Sequence, residues 1–167
     1  MYGLIESIRA FLDDSNIKFC FDEVNNHIEF TRFFQNTRST LTLCVVDVYI
    51  KDDAVCIYSS PGCCGSVNNF EELFALTEFT CRINNDVALG HFGLDVDTGL
   101  IRFFQFISLL GLDEPPKEMI EMMFYALDKI WMQYYPGFAA VMFQELSAAD
   151  AYKLCKNDDN DSDERYN

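Results

Sequence analysis

The chain has 167 residues, 50% of them apolar, 15% aromatic and 23% charged, a composition that excludes general disorder, a collagen-like repeat and a disulfide miniprotein and suits one domain. Twenty-seven acidic against twelve basic residues leave a formal charge of −15; this repels phosphate backbones and anionic lipid, so nucleic acid is not an expected partner. No apolar run approaches the roughly 20 residues that cross a bilayer, and Met1–Asp14 carries acids where a secretion signal has a basic flank, so the expected location is cytoplasmic, with no membrane partner.

Leu4, Ile5, Ile8, Phe11 and Leu12 recur at helical spacing with Glu6, Arg9 and Asp13 between them, which predicts a first helix with one core-facing stripe. Lys18–Phe21, His27–Gln35, Thr40–Ile50 and Ala54–Ser59 are rich in β-branched and aromatic residues and read as strands. Asn25-Asn26, Asn36–Ser39 and Asp52-Asp53 separate them as turns. Such short connections join antiparallel neighbours, so the strands form a meander.

Pro61-Gly62-Cys63-Cys64-Gly65 ends this segment, and Asn69 with Glu72 three residues on spells a capping box for a second helix whose inward face is expected to be Phe70, Leu73 and Phe74. His91–Val96 and Leu100–Leu109 follow as a hairpin. With Thr98-Gly99 as a two-residue loop, Val96 faces Ile101, Asp95 faces Arg102 and Leu94 faces Phe103. That register puts Phe92, Leu94, Val96, Ile101 and Phe103 on the core side.

Pro115-Pro116 then opens a long helix with Ile120, Met123, Leu127, Ile130, Trp131 and Tyr134 as its buried stripe. Pro136-Gly137 is expected to interrupt it, since proline lacks a backbone donor and clashes one turn back. Phe138, Val141, Met142 and Leu146 resume helical spacing, and Ser147 with Asp150 reads as a cap for a last short turn. Asn157–Asn167 holds five acids, one base and no aliphatic residue, too polar to offset its ordering entropy. The domain is therefore drawn at residues 1–156, with 157–167 as an acidic disordered tail. The fold class is α+β: an antiparallel sheet packed on one face by helices, in the order α-β-β-β-β-α-β-β-α-α.

Candidate chemistry is sparse. The seven cysteines contain no C-x-x-C and are odd in number, which fits a reducing compartment without structural zinc. Cys44 and Cys56 read as small core residues. Cys63 and Cys64, in a glycine-flanked loop ahead of a helix, are the thiols a nucleophilic or redox mechanism would use, although Asp52, Asp53, Glu71 and Glu72 oppose the thiolate. Asp97-Thr98-Gly99 spells an aspartic-protease triplet and Asp95-Val96-Asp97-Thr98 resembles the start of an aspartate-nucleophile phosphatase motif. A hairpin turn uses the same residue types for hydrogen bonding and positive φ, and antiparallel strands do not build the phosphatase site. His27 and His91 lack ligand-spaced neighbours and read as structural. The tail's alternating oxygen ligands lack the glycine and distal glutamate of a calcium loop. No catalytic residue, cofactor or metal is assigned.

Interaction surfaces are better marked. Met119, Met122 and Met132 fall off the buried stripe of the long helix, where methionine suits an adaptable contact. Arg102, Phe104 and Phe106 alternate away from the helix-covered side of the hairpin, and Thr40–Ile50 is apolar on both parities. The second sheet face thus carries aromatics that want cover. Self-association through that face or a strand edge, giving a homodimer, is the expected cover; a last helix folded over it is the alternative.

The element order, with Leu89-Gly90-His91-Phe92-Gly93-Leu94-Asp95, Gly99-Leu100-Ile101-Arg102-Phe103 and Tyr134-Tyr135-Pro136-Gly137-Phe138, resembles the bacterial YbjN family over Leu4–Phe143. That family is described as sensory-transduction regulators with a type III secretion chaperone-like fold, and it has no established catalytic site or cofactor. The resemblance implies a non-enzymatic, regulatory or chaperone-like domain that binds a partner protein segment. Two alternatives are a sensor of a small apolar ligand between sheet and helices and a thiol-dependent enzyme using Cys63 or Cys64.

Overall fold

A computed structural model describes residues 2–35, 41–51, 53–62, 65, 66, 68–112 and 116–163. Four helices and six strands follow the predicted order: α1 (Tyr2–Asp14), β1 (Phe19–Asp22), β2 (His27–Gln35), β3 (Leu41–Ile50), β4 (Ala54–Pro61), α2 (Phe70–Asn84), β5 (His91–Leu94), β6 (Ile101–Ser108), α3 (Lys117–Met142) and α4 (Ala148–Asp163). The strands form one antiparallel sheet in the order β1-β2-β3-β4-β6-β5. The turns expected at Asn36–Ser39 and around Asp52, and the pair Cys63 and Cys64, lie outside the described residues.

One sheet face meets the helices. Ile28, Phe30, Cys44, Val46, Val48, Val55, Ile57, Ile101 and Phe103 alternate onto it and are buried, as the period of two requires. Leu4, Ile5, Ile8 and Leu12 of α1 and Ile120, Met123, Phe124, Leu127, Trp131 and Tyr134 of α3 close over them. Trp131 is fully buried and its indole N–H donates to Ser59 Oγ at 2.8 Å, so the polar edge of the largest core side chain is satisfied by β4. Phe79, Phe92, Phe103, Phe124 and Phe138 are also fully buried, with Phe92 in contact with Phe103, Trp131, Tyr134 and Phe138. These rings occupy space between sheet and helices, where a small apolar ligand would have to sit.

Four local expectations are corrected. The inward face of α2 is Leu76, Phe79, Thr80 and Ile83, while Phe70 is 79% exposed and Phe74 also faces out. At about 100° per residue Phe74 sits about 160° round from Leu76, so both cannot face the core. Only half of the expected capping box forms: Glu72 N–H donates to Asn69 Oδ1 at 3.2 Å, but the Glu72 carboxylate accepts from Ser66 N–H at 2.8 Å, while Asn69 N–H donates to the Ser66 carbonyl.

The β5–β6 register is displaced by two residues. Leu94 faces Ile101, Gly93 faces Arg102 and Phe92 faces Phe103, so Asp95 does not oppose Arg102. Asp95 lies in the turn, where its Oδ1 accepts from Asp97 N–H at 3.0 Å and Thr98 N–H at 3.1 Å. These backbone donors hold its carboxyl below the usual carboxylate range. Gly99 adopts φ +71° with its carbonyl accepting from Gly65 N–H at 2.8 Å; a side chain there would collide with Gly65. This contact, remote in sequence, selects the longer loop. Because the slip is even, Phe92, Ile101 and Phe103 keep the expected side, but Val96 leaves the ladder and is exposed.

Pro136 does not break α3, which is continuous from Lys117 to Met142. Its missing N–H would have met the carbonyl of Met132, on the exposed side of the helix. Gly137 is buried against Phe79 and Cys155, which holds the chain helical through the proline. Finally, α4 is no short turn. Ser147 caps it, accepting from Asp150 N–H at 3.2 Å; Ala148, Ala151 and Cys155 anchor it in the core. The helix runs to Asp163, into the segment expected to be disordered.

Candidate functional site

Among the described residues all four helices lie on the core side, so the second sheet face has no helical cover there. Strand alternation places His27 and Glu29 of β2, Asp47 and Tyr49 of β3, Cys56 and Tyr58 of β4, Arg102, Phe104 and Phe106 of β6, and His91 of β5 on it. A row of rings crosses five strands: His27 stacks on Tyr49 at 4.4 Å, Tyr49 meets Tyr58 edge-on at 5.7 Å, Tyr58 meets Phe104 at 4.9 Å, and Phe104 meets His91 at 5.1 Å. Tyr49 and Tyr58 are more than one-third exposed and Phe106 is 56% exposed.

An open groove of about 440 Å³ lies along this row, lined by Asp47, Tyr49, Lys51, Cys56, Tyr58 and Arg102. A second, of about 320 Å³, continues from Tyr58 and Arg102 over Phe104, Gly93 and His91. His27 Nε2 is hydrogen-bonded to Asp47 Oδ1 at 2.8 Å, which orients the carboxylate beside the Tyr49 ring. Burial, with the Asp47 charge adding to it, holds the Tyr49 phenol above its ordinary range. The floor is therefore aromatic, with the Asp47 carboxylate between the cations Lys51 and Arg102.

Across the sheet His27 faces Tyr49 and Tyr49 faces Cys56. The imidazole and the thiol thus stand two strand spacings apart, about 10 Å, well beyond the reach of a nucleophile–base pair. The geometry suits stacking and hydrogen bonding to an extended ligand. Among the described residues no three of His, Cys, Asp and Glu converge to hold a metal ion, and no helix is long and apolar enough to cross a membrane.

Of the residues expected to bind a partner, Arg102, Phe104 and Phe106 come together on this face. Met119, Met122 and Met132 do not join them: they ride on α3, on the opposite side of the sheet, with Met119 packed against the core and Met122 and Met132 exposed. His27, Asp47, Tyr49, Tyr58 and His91 were not singled out as binding residues, although the alternation of β3 and β4 carried the signal for Tyr49 and Tyr58. Behind the sheet, Arg32 of β2 pairs with Asp128 of α3 in a partly buried contact, and burial raises the Asp128 carboxyl despite the opposing effect of the guanidinium. This pair faces the helices and contributes nothing to the open surface. Comparison of the chain with protein-family models, with curated proteins and with solved structures found no match.

Proposed function

We propose that this chain is a non-enzymatic interaction domain, regulatory or chaperone-like, that receives an extended segment of a partner protein on its open sheet face. The observation that carries this reading is the uncovered row His27–Tyr49–Tyr58–Phe104–His91 with the grooves beside it. Aromatic side chains held rigidly on strands offer large contact area at small entropic cost. The charge of −15 would speed the approach of a basic or amphipathic segment more than it would tighten the complex. The sequence resemblance to YbjN-type regulators points to the same class of role.

The test compares capture from the native cell by the parent chain, a Tyr58→Ala/Phe104→Ala variant, a Met122→Ala/Met132→Ala variant and a chain ending at Lys156. The reading expects the same protein to be retained by all but the Tyr58→Ala/Phe104→Ala bait. Retention by that bait, with loss from the methionine variant, would move recognition to α3.

A further inference from the structure

The two edges of the sheet are finished differently. At β5 the outer edge is plugged by a side chain: Asn84, the last residue of α2, donates through Nδ2 to the Phe92 carbonyl at 2.8 Å and accepts the Phe92 N–H on Oδ1 at 2.7 Å. One amide thus makes the two bonds that a neighbouring strand would make. At β1 there is no such plug among the described residues. Ile50 N–H donates to the Asn26 carbonyl at 2.9 Å, which fixes the parity of β2. His27 and Glu29 therefore turn their backbone groups toward Asp22 and Cys20, and Phe19 and Phe21 turn theirs outward.

We infer that a second copy of this chain pairs with that edge, β1 against β1 about a two-fold axis at Cys20. The pattern is self-complementary, as a two-fold contact must be. Antiparallel pairing centred on Cys20 sets Phe19 against the partner's Phe21, where both outward N–H and C=O groups are exchanged. The same register sets Lys18 against the partner's Asp22, and the axis repeats each contact. Lys18, Cys20 and Asp22 are all exposed. Two opposite-charge pairs thus form in a register that also satisfies the outward backbone groups, and sliding it by two residues keeps the backbone match but loses both charge pairs. Shifting it by one residue would break both matches. Net repulsion between acidic bodies does not forbid this approach, since physiological salt screens beyond roughly 8 Å. The resulting sheet has twelve strands and leaves both aromatic faces open, so the inference stands independently of what those faces bind.

In this register the two Cys20 residues form a non-hydrogen-bonded pair with Cα atoms about 4.5 Å apart, within disulfide reach. Cys20 is a free, exposed thiol, and that supplies the test. A full-length variant with Cys63→Ser, Cys64→Ser and Cys81→Ser is examined by light scattering in physiological salt up to roughly 100 µM and then oxidised with diamide. A particle of about twice the 19.3 kDa chain mass is expected, with a covalent dimer that adding Cys20→Ser abolishes. Lys18→Glu, checked by circular dichroism against the parent, is expected to weaken the dimer about tenfold, since both ion pairs become repulsions. A single-chain mass throughout overturns the inference. So does a dimer that neither cross-links through Cys20 nor responds to Lys18→Glu, because it must use another surface.

Discussion

Asn84→Ala removes the plug on β5, and its cost follows from the geometry. Two hydrogen bonds are lost, 2.8 and 2.7 Å long and partly buried, each contributing about 0.5–1.5 kcal/mol. Alanine in place of asparagine in the last turn of α2 returns about 0.5 kcal/mol of helix propensity. The net loss is about 0.5–2.5 kcal/mol, a fall in Tm of about 1–10 °C for a chain of this size. Urea unfolding followed by the emission of Trp131, the one tryptophan, measures it, because that indole sits 5.2 Å from the Phe92 ring. Amide exchange gives the sharper reading. Phe92 N–H points away from β6 to Asn84, whereas Gly93 N–H points into the ladder, so the variant should exchange much faster at Phe92 and little changed at Gly93. Equal protection of Phe92 in parent and variant would refute the plug, and with it the asymmetry between the two sheet edges.

Ser59→Ala strands the Trp131 indole N–H in the core and is expected to cost about 1–3 kcal/mol and to shift Trp131 emission; an unchanged midpoint in urea would show that the 2.8 Å bond contributes no net stability. Gly137→Ala gains about 1 kcal/mol of helix propensity but sets a methyl 2.7 Å from Cys155 Sγ and against the Phe79 ring, an overpacking cost of about 1–3 kcal/mol. A lower melting temperature is therefore expected, and a higher one would show that α4 yields. Tyr152 Oη donates to Asp86 Oδ2 at 2.6 Å, which holds the Asp86 carboxyl below 3.8 and lifts the Tyr152 phenol above 10.0. The depressed carboxyl adds stability that is lost as pH falls from its unfolded value through its folded one; the raised phenol adds stability that is lost as pH rises through its folded value. The melting-temperature gap between parent and Tyr152→Phe should thus be widest at neutral pH and close toward both extremes. A gap independent of pH would remove the bond from the account.

Much of the site was legible before the fold because period-two alternation in β6 assigns Arg102, Phe104 and Phe106 to one side whichever even register the hairpin takes. The row itself was not legible, because it depends on which strands are neighbours. Tyr58 reaches Phe104 only because β4 pairs with β6, across the whole of α2 in sequence. Met122 and Met132 were legible as surface residues, and their exposure agrees. Nothing local says that α3 presents them on the far side of the sheet.

What the sequence determined by itself was the order of elements, the antiparallel meander and most of the buried stripes, since helical and strand periodicities are properties of the segment and survive any packing that buries one side. The tertiary structure decided where a contact from a distant segment outweighed a local preference. Gly65 against Gly99 chose the longer turn and moved Asp95 away from Arg102. Phe79 and Cys155 against Gly137 carried α3 through Pro136, and the pull of Leu76, Phe79 and Ile83 into the core turned Phe70 and Phe74 outward. In each case the local rule concerns an isolated turn or helix, and burial against a partner elsewhere in the chain outweighed it.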